Sequence, residues 1–335
     1  MRTLFALGTW LLMGAVHAAP WIESSYTLPG QGKAQLTIYG THDLDAIQSV
    51  LDAFVAASGI GLTYHTANSR ALHEQVALPR RPGTDLVFSS ATGLQVKAVN
   101  DGWATALDGI APSPTQWRNR LFQVSIEPIV AVYDRARSPW MGRTKSRAQL
   151  TEQLKYEAAT GRTSVAVYNP AVSGLGYLLA TQDSEQTPTF WPLIDQFRAL
   201  GMREFCCSAD MLDAVEQGSS LLAYNVLESY AAKRMLANPN LAVVTFEDYQ
   251  LVVPRTLWVP SWSTQPQLAR QFIEFMRADD GQALLPARNR LEQLNNTQAA
   301  PLKPIRLSPA LILYLDDFKR QRFMRRWTPG AVDEG

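Results

Sequence analysis

An alternation of strand-like and helix-like segments near the start of the chain constrains its fold more than any other feature. Residues 34–40, with Leu36, Ile38 and Tyr39 in a short apolar run closed by Gly40, read as a buried strand. Leu44, Ile47, Val50, Leu51, Phe54 and Val55 then recur at helical spacing. Asp43 lies near the helix start, where an acid suits the dipole, and Gly59, Ile60 and Gly61 end the segment. A second strand over 62–65, a helix over 69–78 and a third strand over 84–88 complete a β-α-β-α-β run. Strands joined by helical crossovers pair in parallel, so an open α/β sheet is expected. Ligands of such sheets bind beyond the carboxyl ends of the strands. That rule singles out Thr41 and His42 after the first strand, and Ser89 and Ser90 after the third.

The chain leaves this unit through 122–133, where Val124, Ile126, Ile129, Val130 and Val132 suit a long strand crossing between lobes. Pro128 within it should bend the strand or place it at an edge. A second unit starts near Thr144, with a helix over 147–159, a strand over 163–168 and a turn through Asn169, Pro170, Ser173 and Gly174 into another helix. Helices over 190–200 and 209–217 follow, then strands over 220–224, 241–246 and 251–259, the last returning across the hinge. Helical segments over 267–276, 280–285 and 309–326 are expected to pack on the first lobe. With 335 residues, 46% of them hydrophobic, the chain can give each of two lobes its own core. The expected division is 33–130 plus 255–328 for the first lobe and 131–254 for the second.

Arg2, an apolar run from Leu4 to Met13, and Val16, His17 and Ala18 before Ala19 and Pro20 read as an export signal cut after Ala18. The run is shorter than the roughly 20 residues of a membrane span, so a periplasmic protein is expected. Lys and Arg number 31 against 30 Asp and Glu, a net charge of +1, which speaks against nucleic acid as a partner. Cys206 and Cys207 are adjacent, so they supply neither a metal framework nor a disulfide scaffold. In an oxidising compartment they form either a vicinal disulfide or two free thiols. No Gly-x-Ser-x-Gly elbow, phosphate-binding glycine loop or His-Glu-x-x-His is present, and no cofactor or resident metal is expected.

The order of these features resembles the periplasmic solute-binding proteins of ABC transporters, in the branch that holds ferric-iron binders and the phosphoglycerate-transport regulatory protein. The resemblance rests on 36–40, Ala53 and Phe54, Gly59 and Ile60, 84–90, 168–170 with Ser173 and Gly174, and 223–231. It extends to Pro266, Ala269, Phe272, Phe275, Gly281 and Gln282. It implies an α/β, two-lobed binding protein of type II-like form, each lobe a mixed sheet flanked by helices, joined by crossing hinge strands. A ligand would be clamped between Thr41, His42, Ser89 and Ser90 of the first lobe and Ser173, Gly174, Tyr224 and Asn225 of the second.

Ser173 and Gly174, at a helix start, would offer N–H groups to an anion or serve as an ordinary cap. Tyr224 with Asn225 is a hydrogen-bond pair for a carboxylate or phosphate, or else fastens the strand end. Iron-binding members carry two consecutive tyrosines at the matching position, which argues against iron. The solute expected is therefore a small anion, delivered to an ABC permease or reported to a membrane sensor kinase by a monomeric protein. The second partner is suggested by a tail resembling those of binding proteins encoded beside sensor kinases (Pro304, Ile305, Arg306, 311–316, Lys319, Arg320, Phe323, Arg326, Trp327). Its cations are expected to be solvated while its aromatics pack on a lobe, with docking on a membrane partner as the alternative. Two further functions stay open: a ferric-iron carrier, and an exported hydrolase in which Ser89 or Ser173 would meet His42.

Overall fold

The computed structural model describes residues 21–110, 116–159, 164–244, 246–285 and 301–329. The export signal over 1–18 lies outside the described residues. In chain order the elements are β1 (Ser24–Leu28), β2 (Gln35–Gly40), α1 (Leu44–Ser58), β3 (Gly61–Thr66), α2 (Ser69–Leu72), β4 (Leu86–Ser89), α3 (Thr92–Asn100), β5 (Gln116–Trp117) and β6 (Leu121–Asp134). There follow α4 (Arg147–Ala159), β7 (Val165–Tyr168), α5 (Gly174–Gln186), α6 (Phe190–Ala199), β8 (Arg203–Phe205), α7 (Ser208–Glu216), β9 (Leu222–Leu227), α8 (Glu228–Ala237) and β10 (Leu241–Val244). The chain returns through β11 (Gln250–Trp258), α9 (Pro266–Arg277), α10 (Asp279–Ala283) and β12 (Leu302–Pro304). It ends in a 3-10 segment (Pro309–Leu315) and α11 (Asp317–Trp327).

β2 pairs in parallel with β3 and β4, as the alternation requires. α1 buries Ile47, Val50, Leu51 and Phe54 and ends at Gly59, whose φ of 70° closes the helix with its N–H on the Val55 carbonyl. The expected helix over 69–78 is α2 continued by a π-helical turn over His73–Ala77. Phe54 meets Phe272 of α9 edge to face at 5.0 Å, joining the two sides of the first-lobe core.

β6 belongs to both lobes. Its first half pairs antiparallel with β11 as far as Pro128 opposite Val252, and from Ile129 onward it pairs with β9 and β10. Pro128, which has no N–H to donate, stands where the strand changes partners. In the second lobe β7 pairs in parallel with β8 and β9, and Leu150, Leu154, Phe190, Leu193, Ile194 and Phe197 form a core on one side of this sheet. The first residues of β11 begin the crossing back to the first lobe, and β12 lies parallel beside Gln250, Leu251 and Val252.

The tail departs from expectation. It is a 3-10 segment and a separate helix, split where the Asp316 carboxylate caps α11 by accepting from the Lys319 N–H at 3.1 Å. The 3-10 segment lies on α3 of the first lobe and on α5 of the second, where Tyr177 Oη donates to the Tyr314 carbonyl at 2.5 Å. α11 packs on the second lobe: Phe323 lies edge-on to Tyr177 at 5.5 Å, Trp327 Nε1 donates to Glu204 at 2.5 Å, and Arg198 Nε donates to the Trp327 carbonyl at 3.1 Å. The physical reason is aromatic complementarity, since α5 and α6 present Tyr177 and Trp191 to this helix. Phe323→Ala should therefore cost about 3 kcal/mol, the usual loss for a buried phenylalanine, measured by urea denaturation; a loss below about 1 kcal/mol, the scale of surface changes, would mean that α11 does not share the second-lobe core.

Candidate functional site

The carboxyl ends of β2 and β4 bring the first-lobe residues together. Gly40 ends β2 where a Cβ would lie 2.1 Å from Tyr64 Oη, so only glycine lets that hydroxyl reach the following loop. Tyr64 Oη donates to the His42 carbonyl at 2.9 Å and accepts from the His42 N–H at 3.2 Å. Thr41 Oγ1 donates to Ser89 Oγ at 3.2 Å, and His42 Nε2 lies 3.0 Å from Ser90 Oγ. His42 is buried, its ring 4.1 Å from that of Phe88 between centroids, and its Nδ1 has no hydrogen-bond partner among the described residues.

Behind this loop stands a buried ion pair that single-residue motifs do not reveal. Arg255 on β11 and Glu127 on β6 are both 0% exposed, and Arg255 Nη2 donates to Glu127 Oε2 and to Ser229 Oγ, the latter at 3.0 Å. Glu127 Oε1 accepts from the Ser229 N–H at 2.8 Å, within the first turn of α8. Arg255 Nε and Nη1 are buried without a partner among the described residues. The sequence signal was a charge inside each of two mostly apolar hinge strands.

The lobes touch across the cleft. The Asp43 N–H donates to Tyr230 Oη at 3.1 Å, Lys233 pairs with Asp45, and the Leu175 N–H donates to Ser69 Oγ at 3.2 Å. A Cβ on Gly174 would lie 2.6 Å from Leu94 Cδ1, so the start of α5 rests directly on α3. Cys206, Cys207 and Asp210 stand before and within the first turn of α7. Burial raises the pKa of Glu23 and Asp43, and each is raised further by Asp210 across the cleft.

The remaining second-lobe candidates are engaged within their own lobe. Ser173 Oγ accepts from the Gly176 N–H at 3.0 Å and is the cap of α5. Tyr224 Oη donates to Asp183 Oδ2 at 2.6 Å and accepts from Arg147 Nε at 2.8 Å. Asn225, at a φ of 66°, donates to the same carboxylate oxygen at 3.2 Å. Tyr249 Oη donates to Asp183 Oδ1, and Arg147 also donates to Asp248 at 2.7 Å. Tyr224 shares the second-lobe core with Leu222, so its side chain points away from the first-lobe tips. Thr41, His42, Ser89 and Ser90 are thus assembled, whereas Tyr224 and Asn225 fasten the strand end. Cys206 and Cys207 are free thiols with Sγ atoms 2.7 Å apart.

Electrostatics decide what the Ser90 and His42 pair can do. Burial, with Arg255 nearby, holds the His42 imidazole well below its ordinary value of 6.5. A histidine kept neutral by burial and a neighbouring cation, with no acid on Nδ1 among the described residues, is unsuited to take a proton from serine. Such a group binds its proton in the unfolded chain first, so below pH 6.5 the unfolded state takes up more protons and stability falls as pH drops. His65 and His73, also held low by burial, act in the same direction. Stability, and with it the melting temperature, should fall between about pH 7 and 5, by at most about 1.4 kcal/mol per pH unit from the fully buried His42 and by less from the partly exposed His65 and His73. His42→Gln should flatten that profile in a pH series of thermal melts, and an unchanged slope would show that His42 titrates normally.

Comparison with known proteins fits this geometry. A substrate-binding protein of an ABC transporter from Agrobacterium tumefaciens superposes with a TM-score of 0.83 at 28% identity, over 92% of this chain and 98% of that one. Iron-bound HitA from Pseudomonas aeruginosa superposes at 0.62 with 17% identity, over 76% of this chain and 84% of that one. Periplasmic AfuA from Actinobacillus pleuropneumoniae, with fructose-6-phosphate bound, does so at 0.67 with 14% identity, over 88% and 98%. These last two share the two-lobed fold. No curated protein matches the chain in sequence. No helix among the described residues is long and apolar enough to cross a membrane. Residues 36–288 match the family model described as bacterial extracellular solute-binding protein, and the chain belongs to that family of substrate-binding transport components.

Proposed function

We propose that the chain is a periplasmic protein that captures a small solute bearing a carboxylate or phosphate and hands it to an ABC permease. The observation that carries this reading is Arg255: a fully buried guanidinium at the junction of the hinge strands with two N–H-bearing nitrogens unpartnered among the described residues. Buried donors without acceptors are costly, and an anionic group on the solute would satisfy them. Thr41 and Ser90 hold the tip loop beside Arg255, and with Ser90 Oγ donating to His42 Nε2 the ring proton sits on Nδ1, so one neutral donor supplements the cation. Ser89 supports them from behind by accepting the Thr41 proton. The outer wall carries Glu23, Asp43 and Asp210, which suits hydroxyl or amino donors on the rest of the solute.

Closure follows from differential affinity. A solute touching both lobes stabilises the state in which α8 and α5 meet the first lobe, by the difference in its binding to the open and closed forms. A sensor kinase as reader of that closed form is favoured by the tail, which touches both lobes. Beside it lies a cavity of about 790 Å³ outside the cleft, with Arg306, Lys319, Arg322 and Arg326 on its wall.

Calorimetry against mono-, di- and tricarboxylates and phosphorylated solutes tests the reading. Arg255→Lys keeps a cation beside Glu127 but removes the branched donors. Since hydrogen bonds to charged groups contribute about 1.5–3 kcal/mol, the variant should bind roughly 10- to 100-fold more weakly while still melting cooperatively. Unchanged affinity would move the acidic group elsewhere, and binding confined to cationic solutes would overturn the assignment.

A further inference from the structure

Solute capture at Arg255 leaves unused a donor cluster on the second-lobe wall. Cys206 and Cys207 follow β8 and immediately precede α7, and both are half-buried. Asp210, in the first turn of α7, folds back so that its Oδ2 lies 3.2 Å from Cys206 Sγ and 3.1 Å from Cys207 Sγ. One ligand atom from each residue falls within 4.8 Å of the other two. Two thiols alone fall short of a metal framework, and the helical turn adds the third donor. The surroundings favour positive charge. Asp43 and Glu23 of the first lobe feel Asp210 across the cleft, Lys233, which acts on Asp43, is already paired with Asp45, and Arg234 is paired with Asp213 and Glu216 of α7.

We propose that Cys206, Cys207 and Asp210 bind one thiophilic divalent cation of the zinc or cadmium type. Two soft sulfurs and one oxygen match a borderline-soft d¹⁰ ion rather than ferric iron, calcium or magnesium. Tetrahedral zinc with arms of about 2.3 Å sets its sulfurs about 3.8 Å apart, so the two thiols swing apart by about 1 Å from their separation of 2.7 Å. Two S–metal bonds form as two S–H bonds break, two protons pass to solvent, and no electron is transferred. Asp210 enters as the carboxylate, and the fourth position takes water or a first-lobe carboxylate.

The test uses purified protein, reduced, freed of metal and kept from oxygen, with its thiols counted by Ellman's reagent. Cadmium is then titrated while the ultraviolet thiolate-to-cadmium band and proton release in weak buffer are followed. One cadmium per chain and two protons per cadmium are expected. Outer-shell changes at metal sites cost about 10- to 100-fold, so Cys206→Ser and Cys207→Ser should each weaken binding by roughly 100-fold or more, and Asp210→Asn by about 10-fold. Wild-type protein alkylated at both thiols provides the same control should a variant fail to fold. The proposal is overturned if reduced protein with two reactive thiols yields no band. It is equally overturned if the band survives either serine substitution or alkylation, or if no reductant frees the thiols.

Discussion

The buried pair of Glu127 and Arg255 is the constraint to which the rest of the molecule answers. Each charge sits on a strand that crosses between the lobes, and the second oxygen of Glu127 holds the first turn of α8. Removing two ions from water costs several kcal/mol each, and their attraction repays this only when further hydrogen bonds complete the geometry. Glu127 meets that condition through Ser229 and the positive end of α8. Arg255 does not, with Nε and Nη1 unpartnered among the described residues. Burial keeps His42 neutral and the same guanidinium adds to that effect, so hinge, tip loop and α8 share one charge.

A second buried ionic cluster shows why that shortfall is informative. Arg147 donates to Tyr224, Asp248 and the Tyr249 carbonyl, while Asp183 accepts from Tyr224, Tyr249 and Asn225. The Arg147 guanidinium also stands 3.6 Å from the centroid of the Tyr249 ring. None of the fully buried side-chain atoms of Arg147 or Asp183 is left without a partner among the described residues, as a network that only fixes a lobe requires. Two buried arginines of one chain thus differ: Arg147 has no fully buried nitrogen unpartnered among the described residues, whereas Arg255 has two where the lobes meet. That contrast, rather than burial or charge alone, points to a binding role for Arg255.

The parts of this arrangement that were legible in the chain are those written in local pattern. Leu36, Ile38 and Tyr39 closed by Gly40 mark a strand that ends at the carboxyl edge of the sheet, and Thr41, His42, Ser89 and Ser90 converge at that edge. Pro128, expected to bend the crossing strand or place it at an edge, lies instead where the strand exchanges partners. What escaped was set by distance in sequence. Glu127 and Arg255 are 128 residues apart, and nothing local tells either strand that the other carries its counter-charge. Tyr224 was misleading because its role depends on which face of β9 it occupies, and Asp183, the acid that claims it, lies 41 residues earlier on helix α5. The tail was misassigned for the same reason, since the aromatic surface that receives Phe323 and Trp327 is built by α5 and α6.

The placement of the tail changes what hinge motion means here. A binding protein joined only by its crossing strands opens by rotating one lobe about them. In this chain the 3-10 segment rests on α3 of the first lobe while Tyr177 of α5 donates to its Tyr314 carbonyl, and α11 is seated in the second-lobe core. Rotation about β6 and β11 must therefore either carry the 3-10 segment off α3 or strain the short link at Asp316. Leu311, buried between the lobes, resists the first course by the apolar area it would expose. Opening thus carries a cost set by the tail as well as by the solute. A surface sensing whether the 3-10 segment is seated would also sense whether the cleft is closed.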